Sequence, residues 1–575
     1  MSKNVSDQIV EMLVNVGVKR IYAVTGDSLN HLNDAVRRNK NIEWIHVRHE
    51  EVGAYAASAE SELEGLAVCA GSCGPGHIHL INGVYNAHKS HVPMLVIAST
   101  MNTYEFGTDY FQETNTIKLF DDCSYYNQVI ATPKQALRML QNAIQNAISK
   151  KGVAVIGLPG DVSEMKAEDN VTSNQVFFTN PVIRPNDYEL KVLADLVNES
   201  KKITLFCGIG AERAHEQVVA LSQKVKAPVG YSFRGKMSMQ HDNPNEIGMT
   251  GLLGLPSAYH SMHESDLILL LGTDFPYHDF IPKNTKIVQI DTAAERLGRR
   301  AVLTMGLCGD VVNSIEALLP LIEQKEDTSF LESQLKLYYK VKERLETYVK
   351  DVGNTENIQP EYVAHTLSKY AKDDAIFTVD TGMSCVWGAR FIQSTANRRL
   401  LGSFNHGSMA NAMPMAIGAQ FLYPNREVIA LCGDGGLSML LGDLSTIYQY
   451  KLPIKLIVFN NRSLGMVKLE MEVAGLVDYE TDMVNPDFAR VAEAMGIKAE
   501  NVIEPSEVEG AIKRALSYKG SYLLNVFTNP NALAMPPEIE MNQVIGMTKA
   551  MTKLMLGHKM DEVWDTIKSN YKHLF

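Results

Sequence analysis

A chain of 575 residues is too long for one hydrophobic core, so roughly two to four domains are expected. Its hydrophobic (45%) and charged (21%) fractions are ordinary for a globular protein, and a net charge of −12 argues against nucleic acid as the main partner. Seven scattered cysteines read as reduced thiols rather than a disulfide framework, and Cys69 and Cys73 lack a second pair at zinc-ligand spacing.

The N-terminus, MSKNVSDQIVEML, carries charges in its first turns and no apolar run, so no signal peptide is expected. No stretch reaches the roughly 20 apolar residues of a membrane-spanning helix. Short apolar strands then alternate with amphipathic helices. Strand candidates are LAVCAG, MLVIAS and VAVIGLP, then ITLFCG, LILLLG and IVQID, then AIFTVD, EVIALCG, IKLIVFN and SYLLNVF. Apolar strands separated by helices predict parallel sheets covered on both faces. Two boundaries stand out, FTNPVIRPNDYE near residue 180 and the charged helical run EQKEDTSFLESQLKLYYKVKERLE at 323–346. The fold class is therefore α/β, with three doubly wound domains at about 1–180, 181–335 and 336–530 and a tail at 531–575.

The chain echoes itself. A displacement of 360 positions carries AVCAGSCGPGHIHLINGVYNAHKSHVPMLVIAS onto EVIALCGDGGLSMLLGDLSTIYQYKLPIKLIVF, with Gly76 on Gly436 and Pro93 on Pro453. Any two strand–helix–strand units look somewhat alike, but shared Gly and Pro positions favour a duplication. The first and third domains are then expected to be siblings.

The strand EVIALC delivers the chain to Gly433-Asp434-Gly435-Gly436. Glycines let backbone approach a phosphate, and a helix N-terminus beyond them favours an anion. Ligands of open parallel sheets bind beyond the C-terminal strand ends, where both Asp434 and Asn461 fall. A carboxylate, an amide oxygen and phosphate oxygens together suit Mg²⁺ holding a diphosphate. A lone GDG turn is weak evidence; GDG followed by a strand ending in Asn-Asn is strong, because both halves have the right context.

This segment resembles the thiamin diphosphate (ThDP) motif of the pyruvate oxidase/acetolactate synthase superfamily, and the likeness spans about residues 3–530. It implies a pyrimidine-binding first domain, a FAD-binding middle domain and a diphosphate- and Mg²⁺-binding third domain. Asp434 and Asn461, with Ser463, are the implied metal ligands, and Gly435 and Gly436 border the diphosphate. VRHEEVGAYAAS places Glu50 at the position that pairs with the aminopyrimidine. On the residues alone, a solvated Glu50–Glu51 pair opening a helix is the favoured reading. The proton-sharing role requires a carboxyl raised by burial. FNHGSMANAMP resembles the stretch receiving the aminopyrimidine, with Gly407, Ser408 and Met409. YFQET offers Phe111 and Gln112 at the substrate pocket, VTGDSLN offers Thr25, Gly26 and Asp27 in a closing loop, and SLGMVKLEME places Met466, Val467 and Glu470 near the thiazolium.

In the middle domain, ITLFCGIGAERA carries Gly208 and Gly210 but lacks the third glycine of a dinucleotide fingerprint, leaving a plain strand–turn–helix as good a reading. MTGLLGLPSAY (Leu252, Leu253, Gly254, Leu255), LLGTDFPYHDF (Phe275, Pro276, Tyr277, His278, Asp279) and IVQIDTAAERLG (Asp291) resemble flavin-binding segments. SFRGK (Arg234, Lys236) could face the FAD diphosphate. The tail beyond Pro536-Pro537 repeats apolar residues at helical spacing, with lysines and Trp564. That pattern suits a membrane interface or packing on the body.

Within the superfamily the likeness is greatest to the bacterial pyruvate:quinone oxidoreductases. It implies oxidative decarboxylation of pyruvate to acetate and carbon dioxide by way of the ThDP ylid and enamine, with electrons passing through FAD to a membrane quinone. It also implies a homo-oligomer, by family habit a tetramer. The implied setting is cytoplasmic and peripheral on the inner face of the membrane, with the tail on an anionic or neutral lipid surface. The alternatives are a phosphate- and oxygen-dependent oxidase giving acetyl phosphate and peroxide, an acetolactate synthase-type carboligase with idle flavin, and a non-catalytic scaffold.

Overall fold

A computed structural model describes residues 3–168, 175–350, 356–532 and 549, so the tail beyond Ala532 lies outside the described residues save Lys549. The first sheet contains β1 (Arg20–Ala23), β2 (Glu43–His46), β3 (Ala67–Gly71), β4 (Met94–Thr100), β5 (Tyr126–Val129) and β6 (Val153–Pro159), in the order β2-β1-β3-β4-β6-β5. The second contains β7 (Ile203–Cys207), β8 (Val229–Tyr231), β9 (Glu246–Met249), β10 (Leu267–Leu271), β11 (Lys286–Asp291) and β12 (Met305–Cys308), in the order β12-β11-β10-β7-β8-β9. The third contains β13 (Ile376–Val379), β14 (Arg399–Gly402), β15 (Val428–Gly433), β16 (Lys455–Asn460), β17 (Lys498–Val502) and β18 (Tyr522–Phe527), in the order β14-β13-β15-β16-β18-β17.

All pairings are parallel, as uninterrupted apolar strands require when helices cover both faces. Every one of the ten strand candidates is a strand, and the first and third sheets share one order while the second differs. The 360-position displacement carries β4 onto β16 within one residue at the start, so the internal echo is a duplicated topology.

The first and third domains share one core. The Glu50–Glu64 helix crosses the Ala412–Leu422 helix, and both sequences, EVGAYAASAES and AMPMAIGAQ, are rich in Ala and Gly at the crossing. Small residues let the axes approach. Gly418 sits against the Ala56 carbonyl, where any Cβ would collide with backbone, and Gly83 packs closely on Ala54.

The middle domain joins the third through the Met383–Phe391 helix. Lys236, expected near a FAD diphosphate, is instead buried in this joint, where its Nζ donates to the carbonyls of Ala389 (2.8 Å) and Ile392 at the end of that helix. Burial pulls its ammonium down to about 7, and the Glu246 carboxylate partly opposes this. Lys236 is thus a joint residue, because a cation near the last carbonyls of a helix satisfies acceptors that lack intrahelical donors. From the same helix Arg390 donates to the carbonyls of Leu253 (3.2 Å) and Gly254 (3.3 Å) in the middle domain.

Because Gly418 meets backbone that cannot rotate away, Gly418→Ala is expected to force the two helices apart and to cost about 1–3 kcal/mol. A thermal melt should show a lowered Tm; an unchanged Tm would mean that the crossing does not limit stability.

Candidate active site

The third domain has an open cleft beyond the C-terminal ends of β13, β15 and β16, ≈ 610 Å³ with the solvent at its mouth, lined by Thr381, Met383, Trp387, Met409, Asp434 and Asn461 among others. β15 and β16 are adjacent, with Gly433 opposite Phe459, so the residues that follow them are brought to one edge. Asp434 is buried: Oδ1 accepts from Gly435 N–H (2.9 Å), and Oδ2 accepts from Arg462 N–H (2.8 Å) and Asn485 Nδ2 (2.8 Å). Burial pushes its carboxyl up, and these donors pull against that. Asn461 Oδ1 accepts from Ser463 N–H (3.2 Å) across Arg462, whose positive φ of 54° makes the reversal. The Ser463 hydroxyl is buried and has no partner.

Glycine is required in this turn. A side chain on Gly436 would fall on the Asp380 carboxylate, and a Cβ on Gly435 would lie 3.1 Å from Met409 Cε. Met409 therefore packs over the turn from the Gly407–Met409 loop. Gly407 takes a positive φ of 73°, and Ser408 N–H donates to Ser403 Oγ (3.0 Å). The Ser408 hydroxyl also accepts from Asn82 Nδ2 (2.9 Å), which in turn donates to Glu51 (2.7 Å), tying this loop to the first domain.

Glu50 opens its helix and is 7% exposed, against the solvated reading. Its Oε2 meets His79 Nδ1 at 3.0 Å, and His79 stacks on His49. Gly76 leaves the room: a Cβ there would stand 3.3 Å from Glu50 Oε1. Gly26 packs on Ser72, Cys73 N–H donates to Ser28 Oγ (2.9 Å), and the Gln112 carbonyl accepts from Cys73 Sγ (3.2 Å). Thr25–Asp27, the Ser72–Gly76 turn, Glu50 and Gln112 thus gather at one end of the first sheet. Phe111 is 78% exposed, and Gln112 holds a positive φ of 63°. None of these first-domain residues lines the third-domain cleft of the same chain. Met466 and Val467 line it, whereas Glu470, one turn further along the Gly465–Val473 helix, is exposed and outside it.

In the middle domain, Gly251, just before Leu252–Leu255, meets Phe275 and Tyr277: a Cβ there would lie 2.9 Å from the Phe275 ring. Pro276 and the His278–Asp279 pair (3.1 Å) are exposed nearby. Asp291 ends β11, buried, its carboxyl raised by burial while Oδ1 accepts from Ala293 N–H (2.9 Å). Gly208 and Gly210 pack backbone against Gly272, so the strand–turn–helix reading accounts for them. Arg234 donates to Glu62 Oε1 (3.3 Å) and the Ser90 carbonyl (3.3 Å) of the first domain.

Two residues that pack behind the cleft lining escaped the sequence reading, Asp380 against Gly436 and Asn485 on Asp434. Asp380 follows the AIFTVD strand and so sits at a C-terminal strand end, the rule that singled out Asp434. Asn485 lies in a loop, and nothing local in its sequence marks it.

Among known proteins, the chain matches three family models in succession. They are the thiamine pyrophosphate enzyme N-terminal TPP binding domain over residues 3–119, the central domain over 190–318 and the C-terminal TPP binding domain over 380–526. It is 33% identical over 578 residues to the putative thiamine pyrophosphate-containing protein YdaP of Bacillus subtilis, covering 100% of both chains. It is 29% identical to a pyruvate oxidase of Lactiplantibacillus plantarum, covering 88% of this chain and 85% of that one. It is 28% identical to a probable acetolactate synthase large subunit of Methanocaldococcus jannaschii, covering 92% and 93%.

Asp380 is wholly buried; Oδ1 accepts from Asn411 Nδ2 (3.3 Å) and Ala412 N–H (3.4 Å). Burial pushes its carboxyl up to about 7, with backbone N–H groups opposing. A carboxyl raised on folding contributes stability that is present below its unfolded value of about 4 and lost as the pH rises to about 7. Asp380→Asn is therefore expected to flatten the fall of Tm between these limits. Parallel Tm–pH curves for parent and variant would show that Asp380 titrates normally.

Proposed function

The chain belongs to the thiamine pyrophosphate enzyme family, in the superfamily of pyruvate oxidases and acetolactate synthases, and we propose that it oxidatively decarboxylates pyruvate and passes the electrons through FAD to a membrane quinone. Pyruvate and one water give acetate, carbon dioxide, two protons and two electrons. When bound, ThDP supplies a nucleophilic carbon and an electron sink, Mg²⁺ neutralises its diphosphate, and FAD accepts the electron pair.

The donor set fits that cargo. Asp434 and Asn461 offer hard oxygens at adjacent strand ends, and the glycine turn beside them has no side chain to obstruct a diphosphate. Among the described residues no three His, Cys, Asp or Glu gather as a metal cage, which suits a cation whose other ligands are amide, carbonyl and phosphate oxygens. Met409 packs over the turn and props the cofactor. Glu50 is the carboxyl that would pair with the aminopyrimidine. Since Glu50 is absent from its own chain's cleft, it serves the cleft of a second copy. The exposed Phe111 of one copy and Tyr479 and Val484 of the other become the covered surface, giving at least a dimer and a tetramer as the full assembly.

The observation that carries the redox reading is the Met383–Phe391 helix. Its first turns line the cleft, and its last turn holds the Leu252–Leu255 loop through Arg390. In this reading Leu252–Leu255 and Phe275–Tyr277, which meet at Gly251, would face the flavin, and the carboxylate of Asp291 at the end of β11 would accept from a ribose hydroxyl. No helix among the described residues is long and apolar enough to cross a membrane, and the tail supplies peripheral contact with lipid.

Adding pyruvate anaerobically to the ThDP-, Mg²⁺- and FAD-loaded protein is expected to bleach the flavin, with reoxidation faster by a quinone than by oxygen. Pyruvate consumption without bleaching would establish the carboligase instead, and rapid reoxidation by oxygen with acetyl phosphate formation would establish the phosphate-dependent oxidase. Glu50→Gln should abolish bleaching while Mg²⁺-ThDP still binds. Deleting residues 536–575 should remove lipid activation and liposome binding but keep reduction of a soluble acceptor; a truncated protein that still binds liposomes would refute the role given to the tail.

A further inference from the structure

Behind Asp434 runs an unbroken file of side-chain amides. Asn485 Nδ2 engages both of its hydrogens, one on Asp434 Oδ2 (2.8 Å) and one on Asn460 Oδ1 (3.0 Å). Asn460 Nδ2 donates to Asn525 Oδ1 (3.1 Å), and Asn525 Nδ2 donates to Asn501 Oδ1 (2.8 Å). Asn501 Nδ2 donates to both oxygens of Asp487 (3.0 and 3.1 Å), the residue capping the Phe488–Ala494 helix. The file crosses β16, β18 and β17 in sheet order, since Asn525 is registered opposite both Val458 and Asn501. Asn485 donates both ways, Asn460, Asn525 and Asn501 each donate away from Asp434, and a carboxylate accepts at each end. Asn460 and Asn525 are buried, 2% and 0% exposed.

Buried amides are costly unless satisfied, and the two buried strand positions Asn460 and Asn525 would ordinarily be apolar in a parallel sheet. The chain of bonds compensates that cost, and what it delivers at its inner end is a donor on the carboxylate oxygen Oδ2. The loop that carries Asn485 is itself fixed to the other side of the site: Leu464 N–H donates to the Thr481 carbonyl (2.8 Å), and Met483 N–H donates to the Arg462 carbonyl (2.8 Å). Asn485 is therefore held from two directions, by the loop and by the file.

We propose that Asn485 is a positioning residue that sets the orientation of the Asp434 carboxylate for a divalent cation, and that the amide file through Asn460, Asn525 and Asn501 to Asp487 holds Asn485 in register. This rests on Asp434 being a metal ligand, as in the function proposed above. An orienting partner behind a ligating carboxylate typically changes metal affinity 10–100-fold. Orientation matters most for Mg²⁺, which demands near-octahedral geometry, and less for Ca²⁺, which tolerates varied coordination. A purely structural defect would weaken both ions alike.

The test is calorimetric titration of the full chain with Mg²⁺ and separately Ca²⁺, in saturating ThDP, for the parent and for Asn485→Ala, Asn501→Ala and Asp434→Asn. Asn485 is half-buried on a loop and Asn501 is exposed, so both alanine variants should fold, and the Tm of the cofactor-free protein checks this. Asn485→Ala is expected to weaken Mg²⁺ binding about 10–100-fold and Ca²⁺ binding clearly less. Asn501→Ala should shift the same ratio in the same direction by a smaller factor. Equal losses for the two ions, or no loss in Asn485→Ala while Asp434→Asn loses the metal, would overturn the positioning role and leave Asp434 as ligand. Parent-like Mg²⁺ binding by Asp434→Asn would overturn the ligand assignment and the positioning role together.

Discussion

The parallel pairing of β15 with β16 is the constraint on which the site depends. Parallel neighbours end at the same edge, so the residues after Gly433 and Asn460 must emerge side by side. That places an aspartate and an asparagine together without any contact between distant loops having to specify them. Everything else at the cleft refines this placement. Glycines at 435 and 436 bring the turn against Met409 and Asp380, and the left-handed Arg462 turns the chain back so that Asn461 and Ser463 face one another. The Asn485 amide then reaches over from the 481–485 loop to close the far side.

The same logic builds the first-domain half-site. Its sheet has the same strand order, and the turn after β3 corresponds to the turn after β15. The two domains meet through the small-residue crossing of the Glu50–Glu64 and Ala412–Leu422 helices, which fixes one half-site relative to the other. The middle sheet follows a different order and is attached by two buried cations, Lys236 and Arg390, at the end of the Met383–Phe391 helix. A rigid helix with one end in the cleft and the other against the Leu252–Leu255 loop transmits position between them over a fixed length.

Legibility in the sequence followed burial. The ten strands recognisable as apolar runs include every central strand of the three sheets. The eight others, β1, β2, β5, β8, β9, β12, β14 and β17, lie at or next to an edge and are short or polar, as RIYA, EWIH and KAENV show. Edge strands need not be apolar on both faces, so the signal used to find strands is missing from them. At the site, Asp434 and Asn461 were legible because their neighbours along the chain carry the turn. Asn485 was not, since its contact to Asp434 spans 51 positions and depends on tertiary packing. Lys236 was misplaced for a related reason. A lysine beside an arginine looks like an anion site, but only the fold shows that helix carbonyls occupy its Nζ.

The duplicated halves differ most in how they surround their carboxylates. Asp434 is met by a side-chain amide and backbone N–H groups, donors that favour the ionised form and cannot take its proton. Glu50 is met by an imidazole, a group that can exchange a proton with it, and by a glycine that leaves open space. Two siblings of one fold thus hold their carboxyl groups in different surroundings, one among fixed donors and one beside an imidazole. The difference lies in the partners that surround each group rather than in the backbone that presents it. Duplication followed by divergence of these partners is a physical route to two such surroundings on one chain.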